Sequence, residues 1–184
     1  MSPRGKLVAL AAIFAAPIVA SVIAYNFVQP RSTASFGELL LPPSNITTQR
    51  FGRAGGGEFA FGELAGKWVL VASDSGVCPG SCREKLATMR QVRLALGRNA
   101  RRVERVFVVD DLRAPDAGLA EEFAGTRLVL TPPGMRLAPG AANDRAHVYL
   151  VDPHGNVMMR WPAGADRKRM LGDLQRLLKA SQIG

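Results

Sequence analysis

The first 36 residues contain no acidic side chain, for all fifteen Asp and Glu of this 184-residue chain lie after Phe36. Between Leu7 and Val28 there is no charge of either sign. That composition sets the amino-terminal stretch apart from the rest of the chain and excludes it from an ordinary solvated surface. Cysteine is scarce, with two in the chain at positions 78 and 82. A pair only four apart does not close the long loop through which a structural disulfide stabilises most. No internal repeat is present. What is abundant, 47% hydrophobic residues beside 21% charged ones, excludes disorder of the whole chain. Lys and Arg outnumber Asp and Glu by 24 to 15, a formal charge of +9.

The uncharged run LVALAAIFAAPIVASVIAYNFV, at about 1.5 Å per residue, is long enough to cross roughly 30 Å of hydrocarbon. It predicts a cytoplasmic tail over 1–6 and a single transmembrane helix over 7–28, kinked at Pro17. Arg4 and Lys6 before the run and Tyr25 near its far end place the amino terminus in the cytoplasm. A cleaved signal peptide, with an apolar core of about 7 to 15 residues, is the shorter alternative. Arg31, Arg50 and Arg53 weaken the charge asymmetry, but large domains translocate largely regardless of such charges. Everything after Gln29 is then expected on the periplasmic side of an inner (plasma) membrane, where disulfides persist.

Residues 29–57 carry Pro42-Pro43 and Gly55 to Gly57 and show no sustained periodicity, so they read as a linker. Asn45-Ile46-Thr47 matches a glycosylation sequon, a pattern that is common by chance. From Glu58 to Gly184 short apolar runs alternate with amphipathic stretches, as in an α/β domain. Strands are expected at 59–61, 68–72, 106–109, 127–130, 147–151 and 157–161. Helices are expected after the cysteines as far as Gly97, over 117–123 and over 166–180. Asp152-Pro153-His154-Gly155-Asn156 has the composition of a hairpin turn, and Pro132 to Gly140 that of a long loop.

Chemistry concentrates in Ser75-Gly76-Val77-Cys78-Pro79-Gly80-Ser81-Cys82, between the central apolar strand and the first helix of this domain. Cysteines at i and i+4 of a helix lie about 5 to 6 Å apart, within disulfide range. Pro79 suits a first helical turn, which puts Cys78 at the helix N-terminus where the dipole favours a thiolate, with Arg83 and Lys85 adding to that bias. Two neighbouring thiolates serve either thiol–disulfide exchange or the binding of a soft cation such as Cu(I).

These residues resemble the Sco/SenC family over roughly residues 58 to 180. Gly66-Lys67-Trp68-Val69-Leu70-Val71 is similar to the family's strand before its motif, and Cys78-Pro79-Gly80-Ser81-Cys82 to its CPxxC. Val106 to Asp110 is similar to the next strand, and Val148 to Gly155 to the carboxy-terminal hairpin. The resemblance implies a thioredoxin-like (Sco-type) α/β domain behind a membrane anchor, and copper-site assembly in cytochrome c oxidase. It further implies an oxidase subunit or copper chaperone as partner, and copper as the group handled. The family's copper site adds a histidine five residues before the hairpin tyrosine, where this chain has Asp144. His147 stands two before Tyr149 and His154 at the turn. A copper site here therefore comprises Cys78, Cys82 and His147. The proline that thioredoxins proper place before this strand is also absent, Ala146 occupying that neighbourhood.

Arg98, Arg101, Arg102 and Arg105 have no interleaved aromatics, so they read as solvated surface or a lipid-facing patch and not as a nucleic-acid site. Of Met158 and Met159, one is expected in the core and one exposed. Three readings stand open: a thiol–disulfide oxidoreductase with Cys78 attacking and Cys82 resolving, a Cu(I) carrier using both thiolates and His147, and a non-catalytic assembly scaffold.

Overall fold

The computed structural model describes residues 3–27, 35–111, 113–132, 144–181 and 183. The chain divides into two units, Met1–Ala34 and Ser35–Gly184. In the first, α1 runs over Pro3–Phe27 with Pro17 inside it. Leu10, Ile13, Phe14, Ile18, Val19, Val22 and Ile23 are all exposed and lie around its whole circumference. On the described side chains alone, which leave out 6–9, 11 and 24–27, no helix is long and apolar enough to cross a membrane.

The second unit is one eight-stranded sheet in the order β1-β8-β7-β4-β5-β6-β2-β3. Its strands are β1 (Glu38–Asn45), β2 (Arg50–Arg53), β3 (Glu58–Ala60), β4 (Trp68–Asp74), β5 (Val103–Val109), β6 (Thr126–Leu130), β7 (His147–Val151) and β8 (Asn156–Pro162). The helices are α2 (Gly80–Ala95), α3 (Leu119–Glu122) and α4 (Arg167–Ala180). All seven residues of β4 are buried, as a continuous apolar run in a central strand requires. β4 and β5 pair in parallel, β5 and β6 likewise, and β7 runs antiparallel to β4.

Two cores lie on the two faces of the sheet. On one, α2 buries Cys82, Leu86, Met89 and Val92, and α4 buries Met170, Leu174 and Leu178. Asp166 caps α4 by accepting from the Arg169 N–H at 2.9 Å. Among the described residues of this unit, no long helix covers the other face. Ile46, Phe51, Phe59 and Phe61 cover it, and the Phe61 ring meets those of Phe51 and Phe59 edge-on at 5.4 and 5.3 Å. Met159 is buried as expected, but Met158 is half-buried against the same core and not exposed, because the β7–β8 register shifts at this point.

The expected linker over 29–57 needs correcting, because residues 38–45 and 50–53 form β1 and β2. β1 edges the sheet beside β8, whereas β2 lies between β6 and β3. The domain begins at Ser35 and not at Glu58. Its entry is fixed by Asp173 of α4, whose buried carboxylate accepts from the N–H groups of Phe36 (3.0 Å) and Gly37 (2.8 Å) and from Trp161 Nε1 (3.0 Å). Gly37 is needed there, since a Cβ would stand 2.6 Å from Met159 Sδ and Trp161 Nε1. The arginine cluster is also only partly a solvated surface. Arg102 donates to the carbonyls of Leu178 and Ser181 at the end of α4. Arg105 is buried against the Ala124 carbonyl at 2.8 Å, and that burial, with Arg93 and Arg90 nearby, lowers its pKa. Most of the expected long loop, residues 133–140, lies outside the described residues.

Candidate functional site

The redox candidate sits where β4 ends. Asp74 closes the strand, Ser75 to Pro79 form a tight loop, and α2 starts at Gly80 with Pro79 as its N-cap. The Ser75 C=O accepts from the Cys78 N–H at 3.0 Å, and the Pro79 C=O from the Arg83 N–H at 3.0 Å. Cys78 therefore precedes the helix and is not part of its first turn. Its φ of +44° lies in the left-handed region, a costly conformation for a residue with a Cβ. Cys82, in the first turn of α2, comes within 5.1 Å of it (Cα to Cα), and the two form a disulfide. Both are buried in the helix-covered core with Leu86, Met89 and Val148.

Around the loop stands a charged framework that the sequence reading missed in part. Lys85 is 1% exposed. Its Nζ donates to the Ser73 C=O (2.8 Å), Asp74 Oδ2 (2.9 Å) and the Arg145 C=O (2.7 Å). Three acceptors, one of them a carboxylate, are what a buried ammonium requires. Lys85, read from the sequence only as a charge near the thiols, is thus a buried tie between α2, β4 and the turn before β7. A signal was present: Lys85 lies on the helical stripe of Cys82 and Met89, three residues after one and four before the other.

Arg145 grips Asp110 at the end of β5, with Nε 3.0 and 2.9 Å from the two carboxylate oxygens. It also stands 3.9 Å from Asp74 and 3.8 Å from Asp111. The hydrogen bond to Asp110 raises the Arg145 pKa against partial desolvation. For Asp111, partial burial pushes upward. The Ser75 hydroxyl, the Gly76 and Arg113 N–H groups and Arg145 outweigh it, and its pKa is lowered.

The histidines do not join the cysteines. Along β7, Val148 and Leu150 belong to the core that holds both sulfurs, whereas Tyr149 and Val151 belong to the opposite one. His147 shares the Tyr149 face, its ring centroid 6.0 Å from the tyrosine ring. The expected Cys78, Cys82 and His147 copper set is therefore divided by the sheet itself. His154 is exposed in the β7–β8 turn. That turn is at the other end of the sheet, because Val151 pairs with Val69 at the start of β4 and Val148 with Ala72 near its end. Among the described residues no group of three or more His, Cys, Asp or Glu is arranged to hold a metal ion. Asp144 lies in a single 3₁₀ turn (Asp144–Ala146), and its side chain is outside the described set.

Solved structures share this fold. Copper-bound Sco1 from yeast matches with a TM-score of 0.62 at 17% identity, over 76% of this chain and 93% of that one. Apo Sco1 from Thermus thermophilus matches with a TM-score of 0.62 at 19% identity, over 78% and 96%. BsSco, described as a Sco-family cytochrome c oxidase assembly protein with a disulfide switch, matches with a TM-score of 0.53 at 14% identity, over 76% and 97%. At these identities the likeness establishes the fold, which is the thioredoxin-like fold that the resemblance implied. No curated protein sequence matches the chain. A family description does, over residues 68–181, from the start of β4 to the end of α4, and the chain accordingly belongs to the transmembrane-like, thioredoxin-like, C-terminal domain family.

Proposed function

We propose that this protein is a membrane-anchored thiol–disulfide redox factor that reduces a disulfide in an oxidase subunit or copper chaperone during copper-site assembly of cytochrome c oxidase. The observation that carries the reading is the Cys78–Cys82 disulfide at the strand-to-helix junction of a thioredoxin-like domain. The oxidase assignment is supported by the fold shared with BsSco, itself described as an oxidase assembly protein.

In the reduced protein, the Cys78 thiolate attacks one sulfur of the partner disulfide, forming a mixed disulfide and releasing the partner's other sulfur as a thiolate. The Cys82 thiolate then attacks Cys78 Sγ, the intermolecular bond breaks, and the partner leaves as a dithiol. Two electrons pass to the partner, and the protein is left with the Cys78–Cys82 bond seen here. Cys78 takes the attacking role because it lies outside α2 beside the helix N-terminus, whereas Cys82 is held within the first turn. Anchoring through α1 is supported by its ring of exposed apolar side chains, since a helix apolar all round is either a core helix or a membrane span. Arg4 and Lys6 favour a periplasmic domain.

Two thiolates suit Cu(I), but among the described residues no third ligand is presented to them, His147 being on the far face of the sheet. The described residues thus do not fit the expected site of Cys78, Cys82 and His147. The test is limiting alkylation of the reduced protein followed by exchange with a disulfide peptide. Cys78 is labelled first, Cys82→Ser traps the mixed disulfide, and Cys78→Ser forms none. First labelling of Cys82, or a pair that fails to oxidise under mild conditions, overturns the assignment.

A further inference from the structure

The two sulfurs are covered, Cys78 being 1% and Cys82 0% exposed. Disulfide exchange needs a thiolate to approach a sulfur, so a part of the surface must move. The segment Arg113–Phe123 packs against the loop that carries Cys78. The carbonyls of Arg113 and Ala114 press so closely on Gly76 that a Cβ has no room there. The Asp116 N–H donates to the Gly76 C=O at 3.0 Å, and the Gly76 N–H to Asp111 Oδ1 at 3.0 Å. Leu119 and Phe123 are buried in the same cluster as both cysteines.

This segment is tied back to α2 from the residue next to Cys82. Arg83 Nη2 is 3.2 Å from Asp116 Oδ2, and Nη1 pairs with Glu122. Two turns along, Arg90 donates to the Glu122 C=O at 3.2 Å. The partners in both ion pairs are about one third to one half exposed, so the tie is of a strength that thermal opening overcomes.

We infer that Arg83 is a positioning residue for the redox pair: it clasps Arg113–Phe123 over the Cys78 loop, and release of Asp116 and Glu122 is what admits a partner's thiolate to the sulfurs. The inference rests on the redox reading above and adds how access is controlled. It also opposes the simpler role for an arginine beside a cysteine, stabilisation of the thiolate, and the two roles differ in sign. A clasp slows exchange, and its loss speeds it. A charge that stabilises the leaving thiolate speeds exchange, and its loss slows it.

The experiment follows reduction of Cys78–Cys82 by dithiothreitol in the full chain in detergent. One dithiothreitol thiolate attacks a protein sulfur, the S–S bond breaks, and the second thiolate closes the reductant's own disulfide, leaving two protein thiols. Two variants approach the clasp from opposite sides: Arg83→Ala, and Asp116→Asn combined with Glu122→Gln, which keeps the Arg83 charge. Asp116 Oδ1 accepts from the Gly118 N–H at 3.0 Å, and the amide oxygen of Asp116→Asn keeps that acceptor. Loss of two partly exposed ion pairs is expected to raise the rate by about 3- to 10-fold in both variants, each checked for a native melting transition. Opposite changes in the two variants, or no change in either, overturn the clasp while leaving the redox reading intact. A parent pair that does not cycle at all overturns the redox reading, and the clasp with it.

Discussion

The two faces of the sheet are built from the same strands but do different work. The face under α2 and α4 holds both cysteines and is flanked by the Lys85, Asp74 and Arg145 framework. The other is an aromatic cluster of Phe51, Phe59 and Phe61 with Tyr149, and it holds no sulfur of a cysteine. The difference teaches that side-chain alternation alone assigns the chemistry. Residues adjacent along β7, His147 and Val148, belong to opposite sides of the sheet, so one position of shift in a strand histidine decides between the face that holds the thiols and the face away from them.

Truncating the aromatic face should have the largest effect. Phe59→Ala removes a fully buried ring and is expected to cost about 3–5 kcal/mol in urea unfolding, while the thiol midpoint potential of the folded protein stays where it was. Lys85→Met strikes the other face. It leaves Asp74 buried without its ammonium partner and should cost about 3 kcal/mol, toward the low end for a broken buried pair because Arg145 remains 3.9 Å away. Unlike the first, it should also move the midpoint potential to a more negative value, because a cation on the Cys82 stripe of α2 is lost and a thiolate becomes less favourable.

A smaller effect is expected with acid. The lowered pKa of Asp111 means that its contribution to stability is complete above about pH 4 and is lost as pH falls through its folded-state value. Urea unfolding between pH 7 and pH 2.5 should therefore show a shallower acid loss in Asp111→Asn than in the parent. An unchanged acid limb would mean that the Gly76 loop is held without this carboxylate. The smallest effect belongs to His147→Ala, which should leave dithiol exchange rates unaltered, as substitutions across a packed sheet usually act independently. A loss of exchange, or of Cu(I) affinity in competition with a chelator, would bring His147 back to the sulfurs.

Much of the fold was legible because its central elements announce themselves locally. Val148 to Val151 form a short apolar run ahead of a turn, and β7 occupies 147–151 as expected. α4 follows from its stripe and its Asp166 cap. β1 and β2 were not legible for a physical reason. β1 is a two-proline edge strand, exposed along nearly its whole length, so no alternation is imprinted on it. The cysteine pair could be read from its spacing, but the burial of Lys85 depends on carbonyls of Ser73 and Arg145 that only tertiary structure brings together. Arg83, read as a charge near the thiols, is spent instead on Asp116 and Glu122.

β1 and β2 stand six strand positions apart in the sheet, yet Asn45 and Arg50 are joined by only five residue steps. Flat, six spacings would measure about 29 Å. Five steps reach at most about 18 Å. The connection acts as a belt drawn shorter than the girth it spans, so the sheet has to roll toward the aromatic face, and Ile46 at the buckle is fully buried. A chain cut to start at Glu58 would lose belt and buckle together. It would bare the outer edge of β8 and unroll the sheet, turning a self-contained domain into a template for pairing with copies of itself.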